Sequence, residues 1–515
     1  MNLKSMLEEK ARQYGEKAAI VSGDYKLSYA GLDEASSKFA NALINLGVRK
    51  GDRVAMLLSN RPEFVVIYFG VVKTGGVAVP LDIRYKVDEL VSLFANSQPK
   101  VLVAESSSLE PLTPILSKFT SIEQVIELDS THERQFLSYH QIMTAGSAKR
   151  IPIEPEPQDI AHIGYTSGPA SHPRGVMLPH QSLVTEAAIS GDGFRQTDRD
   201  VVILYALPMH HVFGLVVTLL SSIAKGSKVV ISPAVSMGSL MELIEREQGT
   251  IFLGVPYTFG LAVNAAEREG IRPDLSTLRL CVSGGAVLPN DIAERFKQHY
   301  GLNIVQVWGL TEATAGVTCG PVGGKVKLGS AGKVLPGWKM KIVDERGQEL
   351  PSNQPGEIIV KGPIMSGYYN SPQATAEVIK DGWLYTGDIG KVDEDGSLFI
   401  VGRKKETIIV KGQNIYPSDI EKVLYTHPKI AEAAVVGIPD KLRGEIVRAV
   451  ISPKAGKMIT AEELRRFCRQ HIADFKLPKQ IIILDSLPKT ATGDIRKEDL
   501  QGDLLPSSPL APHLD

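Results

Sequence analysis

The chain has 515 residues, with 57 Lys and Arg against 58 Asp and Glu, and so a net charge of −1. Its 43% hydrophobic and 22% charged residues are ordinary globular values, which exclude a disordered, fibrous or membrane-embedded chain, and the length suggests about three structural units. The charge balance excludes electrostatic attraction to nucleic acid or anionic lipid as a main theme. Cys281, Cys319 and Cys468 are far apart and lack metal-ligand spacing, so they read as buried thiols in a reducing compartment. The opening segment MNLKSMLEEKARQYGEKAA is charged and amphipathic, without the apolar core of a signal peptide. No apolar run reaches the length of a membrane span, and a cytoplasmic protein is expected.

Taken in chain order, the first third alternates helices with apolar strands. Leu32, Ala35, Phe39, Leu43 and Leu46 recur at helical spacing, and Gly47 stands where a C-cap would be. A strand is expected at Val54–Leu58, a helix from Pro62 to Lys73 closed by Gly75 and Gly76, and a strand at Val101–Ala104. The alternation continues through Val201–Tyr205, Lys228–Ile231, Ile251–Val255 and Leu278–Val282, the pattern of layered α/β sheets. From about residue 325 to 402 short β-type segments are split by Gly, Pro and Asp, as in a small barrel or distorted sheet. Beyond it, Ser418 with Glu421 and Thr460 with Glu463 have capping-box spacing and open amphipathic helices. Strand-like runs at Ala433–Val436, Val447–Ile451 and Ile481–Leu484 complete a compact α+β unit. The expected organisation is a large N-terminal α/β domain over 1–402, made of two α/β subdomains and the β-rich part. A hinge at 403–405, a small mobile α+β lid at 406–500 and a disordered Pro/Ser-rich tail at 501–515 follow it.

Several glycine-bearing segments carry the chemistry. They are Ile163-Gly-Tyr-Thr-Ser-Gly-Pro-Ala-Ser-His-Pro-Arg-Gly-Val176, Ser283-Gly-Gly-Ala286, Gln306-Val-Trp-Gly-Leu-Thr-Glu312 and Trp383-Leu-Tyr-Thr-Gly-Asp388 with Gly402-Arg403. Pro208-Met-His-His-Val-Phe-Gly214, Gly367-Tyr-Tyr-Asn370 and Gly437-Ile-Pro-Asp440 stand among them. In this order they resemble the AMP-forming acyl-CoA synthetases of the adenylate-forming superfamily, over about residues 10–500.

The resemblance implies a set of roles. Adenine would lie between the backbone of Ser283, Gly284, Gly285 and Ala286 and the ring of Trp308, in the segment that also holds Gln306, Val307 and Gly309. Asp388 would accept from both ribose hydroxyls, and Arg403 would reach the same nucleotide. Thr166 and Thr311 would donate to phosphate, and Glu312 would hold Mg²⁺ through a hard oxygen. His211 would stand beside the transferred carbonyl, with Phe213, Gly214 and Tyr257 shaping the acyl pocket. Lys405 would be the pivot on which the small domain swings between the two half-reactions. Lys411 and Gly412 would line the path of the CoA thiol. Cofactors and ligands would be ATP or acyl-AMP, CoA, Mg²⁺ and a small-molecule carboxylate.

Two positions depart from the family pattern. The phosphate loop usually reads Thr-Ser-Gly-Thr-Thr-Gly-x-Pro-Lys-Gly. Here its middle is Pro169-Ala170-Ser171, and Arg174 replaces the lysine. Pro169 also removes a backbone donor. Near the C-terminus Asp494 occupies the place of the lysine that bridges carboxylate and α-phosphate during adenylation. Losing one such preorganised charge costs on the order of 10²–10³ in rate. Both changes fall on the same half-reaction. The sequence therefore reads as a non-adenylating acyl-CoA ligase that forms acyl-CoA from acyl-AMP and CoA, with the adenylate supplied by a separate enzyme. A complete ATP-dependent synthetase acting on a fatty or aromatic carboxylate is the first alternative. It would need Lys489, Arg496 or Lys497 to replace the missing lysine. A non-catalytic adenylate or acyl-CoA binding protein is the second.

Overall fold

A computed structural model describes residues 1–129, 136–165, 173–232, 236–270, 273–410, 413–440, 444–472, 476–489 and 495–502. The expected tail falls outside these residues from 503 onward. The chain divides into two compact units. The first comprises Met1–Met340, Ile359–Thr386 and Gly396–Leu398, and the second Lys341–Ile358, Gly387–Asp395 and Phe399 onward.

The first unit holds two large sheets. In one, Val101–Ala104, Arg53–Leu57, Val77–Leu81 and Ile160–Tyr165 run parallel side by side, and Gly175–Pro179 adds an antiparallel strand beside Ile160–Tyr165. In the other, Lys228–Ile231, Val201–Leu204, Ile251–Gly254, Leu280–Ser283 and Ile304–Gly309 are parallel neighbours in that order, and Gly316–Cys319 returns antiparallel. Such strands are buried on both faces, which explains why they read as continuous apolar runs. Helix Pro62–Lys73 is apolar all round and buried from Phe64 to Lys73. Its buried charge is neutralised where Lys73 Nζ meets Asp33 Oδ1 at 2.6 Å, and Glu63 in its first turn pairs with Arg61. Helix Tyr29–Asn45 ends as its spacing predicts, with Gly47 at positive φ just beyond the cap at Leu46.

The β-rich stretch is present as strands Lys339–Val343, Gly356–Lys361, Trp383–Val392 and Leu398–Arg403. In the second unit, Ile430–Asp440 pairs antiparallel with Gly444–Pro453, and Gln480–Ile483 joins that strand in parallel. Alternation sorts the side chains. Ala433 and Val435 face helices Pro417–Tyr425 and Ala461–His471 through Ile420, Leu424, Leu464 and Cys468, while Ala434 and Val436 face Leu487 and Leu500. All three cysteines are buried free thiols, as their spacing suggests. Among the described residues no helix is long and apolar enough to cross a membrane.

One capping box is corrected. Pro417 takes the first position of its helix, Tyr416 is the cap residue, and no side chain caps it. Ser418 instead donates to the Val401 carbonyl, and Glu421 accepts from Val435 N–H at 2.8 Å. Thr460 does cap its helix, accepting from Glu463 N–H at 3.2 Å. Thr460→Ala is expected to lower the stability of the second unit by about 1 kcal/mol, and urea unfolding followed by circular dichroism measures it.

Candidate functional site

Gly254, Ser283 and Gln306 lie in register across three adjacent parallel strands. The segments that leave these strands therefore start at one level, at the carboxyl ends where open α/β sheets present ligands. Gly284 sits in the tightest spot. A Cβ there would stand 2.7 Å from Val307 and 3.0 Å from the Phe213 ring, so only glycine lets this backbone close on both. Gly285 follows at positive φ beside Val255. The structure thus brings Ser283–Ala286, Val307 and Phe213 together. Gln306 is placed otherwise than a direct ligand would be. Its Oε1 accepts from Leu288 N–H and its Nε2 donates to the Ser330 carbonyl, both at 3.1 Å, so the amide braces the strand ends.

Trp308 is buried near the end of its strand, opposite Thr318. The chain then turns tightly through Leu310–Ala315. Ala313 N–H reaches Leu310 O at 3.0 Å, Thr314 N–H reaches Thr311 O at 2.9 Å, and Thr314 adopts a positive φ. A Cβ on Gly309 would collide with the Ala315 carbonyl, so the return of the chain requires glycine there. Thr311 is buried, and a Cβ on Gly164 would lie 3.3 Å from it. The strand that leads to the phosphate-loop segment therefore ends beside Thr311. Thr166 and residues 167–172 of that segment lie outside the described residues.

Glu312 is half-buried, and the Tyr368 hydroxyl donates to its Oε1 at 2.8 Å. The Arg174 guanidinium stands 5.4 Å from the centre of the Tyr368 ring, a cation–π contact. Burial, with the nearby carboxylate, pushes the Tyr368 hydroxyl well above its usual range, so it stays a donor. This fixes the Glu312 carboxylate. Among the described residues no cluster of three His, Cys, Asp or Glu could enclose a metal. A single oriented carboxylate is nevertheless what a Mg²⁺ carried mainly by substrate phosphates requires. Sequence reasoning gave Tyr368 and Arg174 no such role, although both stand within quoted motifs.

The histidine turn is pinned by Asn60, whose side chain donates to Leu207 O at 2.7 Å and accepts from Met209 N–H at 2.8 Å. His211 Nδ1 accepts from Phe213 N–H at 3.3 Å, which assigns the ring proton to Nε2 and makes that edge a donor. His210 stands 3.4 Å from Asp82, a carboxylate already held by Arg84 at 2.7 Å. Burial keeps the His210 ring neutral, against the pull of Asp82. Gly214 is buried against the Pro208 carbonyl, and Tyr257 is exposed on the first turn of helix Pro256–Asn264.

In the second unit, Asp388 lies within strand Trp383–Val392, buried, with Arg403 Nε 3.3 Å from its Oδ1. Glu357 joins two further parts, taking Gly387 N–H at 3.3 Å and Lys404 Nζ at 2.8 Å. Lys405 is exposed in the short turn Lys404–Glu406. Glu406 pairs with Lys497 at 3.0 Å, and Lys497 also meets Glu421 at 2.9 Å. Lys411, Gly412 and Asp494 lie outside the described residues.

Two large α/β sheets with backbone gathered at their strand ends define a class, the adenylate-forming enzymes, and comparison with known proteins agrees. A model of the AMP-binding enzyme family matches residues 7–369, and one of the AMP-binding enzyme C-terminal domain matches 419–494. A long-chain-fatty-acid–CoA ligase of Bacillus subtilis is 33% identical over 97% of this chain and 94% of its own. A feruloyl-CoA synthase of an Amycolatopsis species is 34% identical over 96% and 97%. Among solved structures, ATP-bound MatB from Rhodopseudomonas palustris superposes with a TM-score of 0.90 at 30% identity, covering 97% of this chain and 98% of MatB. The chain belongs to the AMP-binding enzyme family, among its acyl-CoA ligases, acid–thiol ligases that use ATP, CoA and Mg²⁺.

Gly309→Ala is expected to force the Leu310–Ala315 turn open, costing about 1–3 kcal/mol and abolishing AMP binding. Urea unfolding and calorimetric titration with AMP measure the two effects.

Proposed function

We propose that the protein joins a fatty or aromatic carboxylate to CoA through an acyl-AMP intermediate, with ATP and Mg²⁺. The observation that carries this reading is the meeting of the Ser283–Ala286 backbone with Val307 and Phe213, beside buried Trp308 and the turn bearing Thr311 and Glu312. A flat backbone slot against an aromatic residue suits a base, and the adjoining apolar side chains suit an acyl group. Thr311 hydrogen-bonds the phosphate. Glu312, oriented by Tyr368, would give Mg²⁺ one hard oxygen, and the bound ion would supply positive charge against the polyphosphate.

By family likeness Asp388 is assigned to the ribose, Arg403 to the same nucleotide, Lys405 to the hinge, and Lys411 with Gly412 to the thiol path. His211 presents Nε2–H as a donor to the acyl carbonyl oxygen, which gains negative charge as sulfur attacks. The thiol sulfur bonds the carbonyl carbon as its S–H bond breaks and the proton passes to solvent, the carbon–oxygen bond to phosphate breaks, and AMP departs with that electron pair. Fatty-acid and aromatic ligases among the relatives support the complete, ATP-using reaction.

A second reading keeps only thioester formation, from acyl-AMP made by a separate enzyme. It rests on Asp494 and on the engagement of the nearby cations. Lys489 pairs with Glu432, Arg496 with Asp499, and Lys497 with Glu406 and Glu421. Any of them must leave its carboxylate to serve adenylation. Arg496 stands at the N-terminal end of the short turn Lys497–Leu500.

Two assays separate the readings. The complete reaction predicts pyrophosphate release with carboxylate, ATP, Mg²⁺ and CoA. Thioester from synthetic acyl-AMP and CoA, without pyrophosphate release in the first assay, would establish the second reading, and no thioester in either would reject both. Under either reading Trp308→Ala should weaken AMP affinity at least about tenfold, the loss of one base–aromatic stack, measured by calorimetry.

A further inference from the structure

Glu186 is a carboxylic acid buried completely in helix His180–Gly193, outside every motif that the sequence singles out. An isolated acid in a core is costly unless its oxygens are satisfied. Three donors converge on it. Ser190 Oγ donates to Oε1 at 2.9 Å, Gly316 N–H donates to the same oxygen at 3.1 Å, and Trp338 Nε1–H donates to Oε2 at 2.9 Å. These donors come from its own helix, from the strand that follows the Thr311 turn, and from the segment that leads into the β-rich stretch.

The placement of Gly316 matters most. It pairs with Gly309 across the two strands that flank the turn, so the Glu186 bond fixes the point at which the turn closes. Elsewhere the turn is held from outside through Met365 N–H on Glu312 O at 2.8 Å and Thr314 Oγ1 on Pro363 O at 2.5 Å. Glu186 supplies the hold on the returning strand.

We propose that Glu186 is a positioning residue, whose carboxyl fixes the returning strand so that Thr311 and Glu312 keep the geometry needed for phosphate and metal. The phosphate and metal part of this rests on the roles proposed above for that turn. The chemistry demands an acid. A backbone N–H and an indole N–H can only donate, so both Glu186 oxygens must accept, whereas the Ser190 hydroxyl can also receive a proton. Burial pushes the Glu186 carboxyl up to about 8, with its three uncharged partners working against that rise. Near neutral pH the acid therefore carries a proton, and the Ser190 hydroxyl, which donates to the ionised carboxylate, turns to accept from the carboxyl O–H instead. Glutamine fills the same volume but offers one acceptor and one donor, which sets N–H against N–H at either Gly316 or Trp338.

The test uses the full-length protein as Glu186→Gln, Trp338→Phe and the double variant. Hydrogen exchange of the 309–316 segment without ligand reads the strand, and AMP titration reads the site. Glu186→Gln should speed exchange at Gly316 and raise the AMP dissociation constant, each about tenfold. Adding Trp338→Phe should return both toward the parent values, because the glutamine oxygen can then face Gly316 while its NH₂ faces a ring. In the parent, AMP affinity should fall as pH rises through about 8 and a buried charge forms behind the turn, and this fall should vanish in Glu186→Gln.

Additive effects of the two substitutions, or unchanged exchange in Glu186→Gln, would overturn the proposal. If Glu186→Gln fails to fold, a folded double variant supports the donor match, and an unfolded one overturns it. A parent that shows the expected exchange pattern but binds no AMP leaves the strut in place and removes the nucleotide role of the turn.

Discussion

The candidate site of the first unit depends on one constraint, the register that sets Gly254, Ser283 and Gln306 side by side on parallel strands. Parallel pairing makes neighbouring strands end together, so the segments beyond them converge without long loops. A one-residue slip of strand Ile304–Gly309 would turn the Gln306 amide away from Leu288 and Ser330 and move Trp308 to the opposite face. The burial of Val282 and Val305, with Cys281 and Ile304 beside them, holds that register. Close backbone approach at Gly284 and Gly309 is affordable only because the strands beneath them are rigid.

A second theme is the use of carboxylates as collectors of donors. Glu357 joins Gly387 N–H to Lys404, Asp82 holds Arg84 beside His210, and Glu312 is turned by Tyr368. Each acid keeps its place through partners that could not be exchanged for an amide without conflict or lost charge. Electrostatic preorganisation of this kind is what a reaction involving phosphate and developing carbonyl charge requires.

Much of the fold was legible in the sequence. Helix Pro62–Lys73, closed by Gly75 and Gly76, and strands Val101–Ala104 and Lys228–Ile231 have the bounds that their apolar runs predict. The order of strands within each sheet was not, since periodicity carries no information about neighbours. Ser418 and Glu421 had the spacing of a capping box, yet Val401 O and Val435 N–H, distant in sequence, claimed their side chains. In the site, Trp308, Thr311 and Glu312 stood out through their motif. Tyr368 and Glu186 did not, because apart from Ser190, four residues from Glu186, the partners that place them lie 56, 130 and 152 residues away in the chain. For Tyr368 the quoted Gly367-Tyr-Tyr-Asn370 segment was a signal without a partner, and for Glu186 an acidic residue amid Leu183, Ala187 and Ala188 was the only hint. The expectation of a lost adenylation half-reaction came from the altered phosphate loop, Pro169-Ala170-Ser171 with Arg174, and from Asp494, whereas the relatives favour the complete reaction.

Both half-reactions meet at the acyl-adenylate that this chain is proposed to hold. A non-hydrolysable acyl-sulfamoyl adenosine tests this most directly, because it mimics the intermediate shared by both half-reactions. Calorimetric titration of the full-length protein should give one site per chain, with an affinity at least about a hundredfold above that for AMP, since the acyl group adds its own burial. Binding no tighter than AMP across fatty and aromatic analogues would contradict the account.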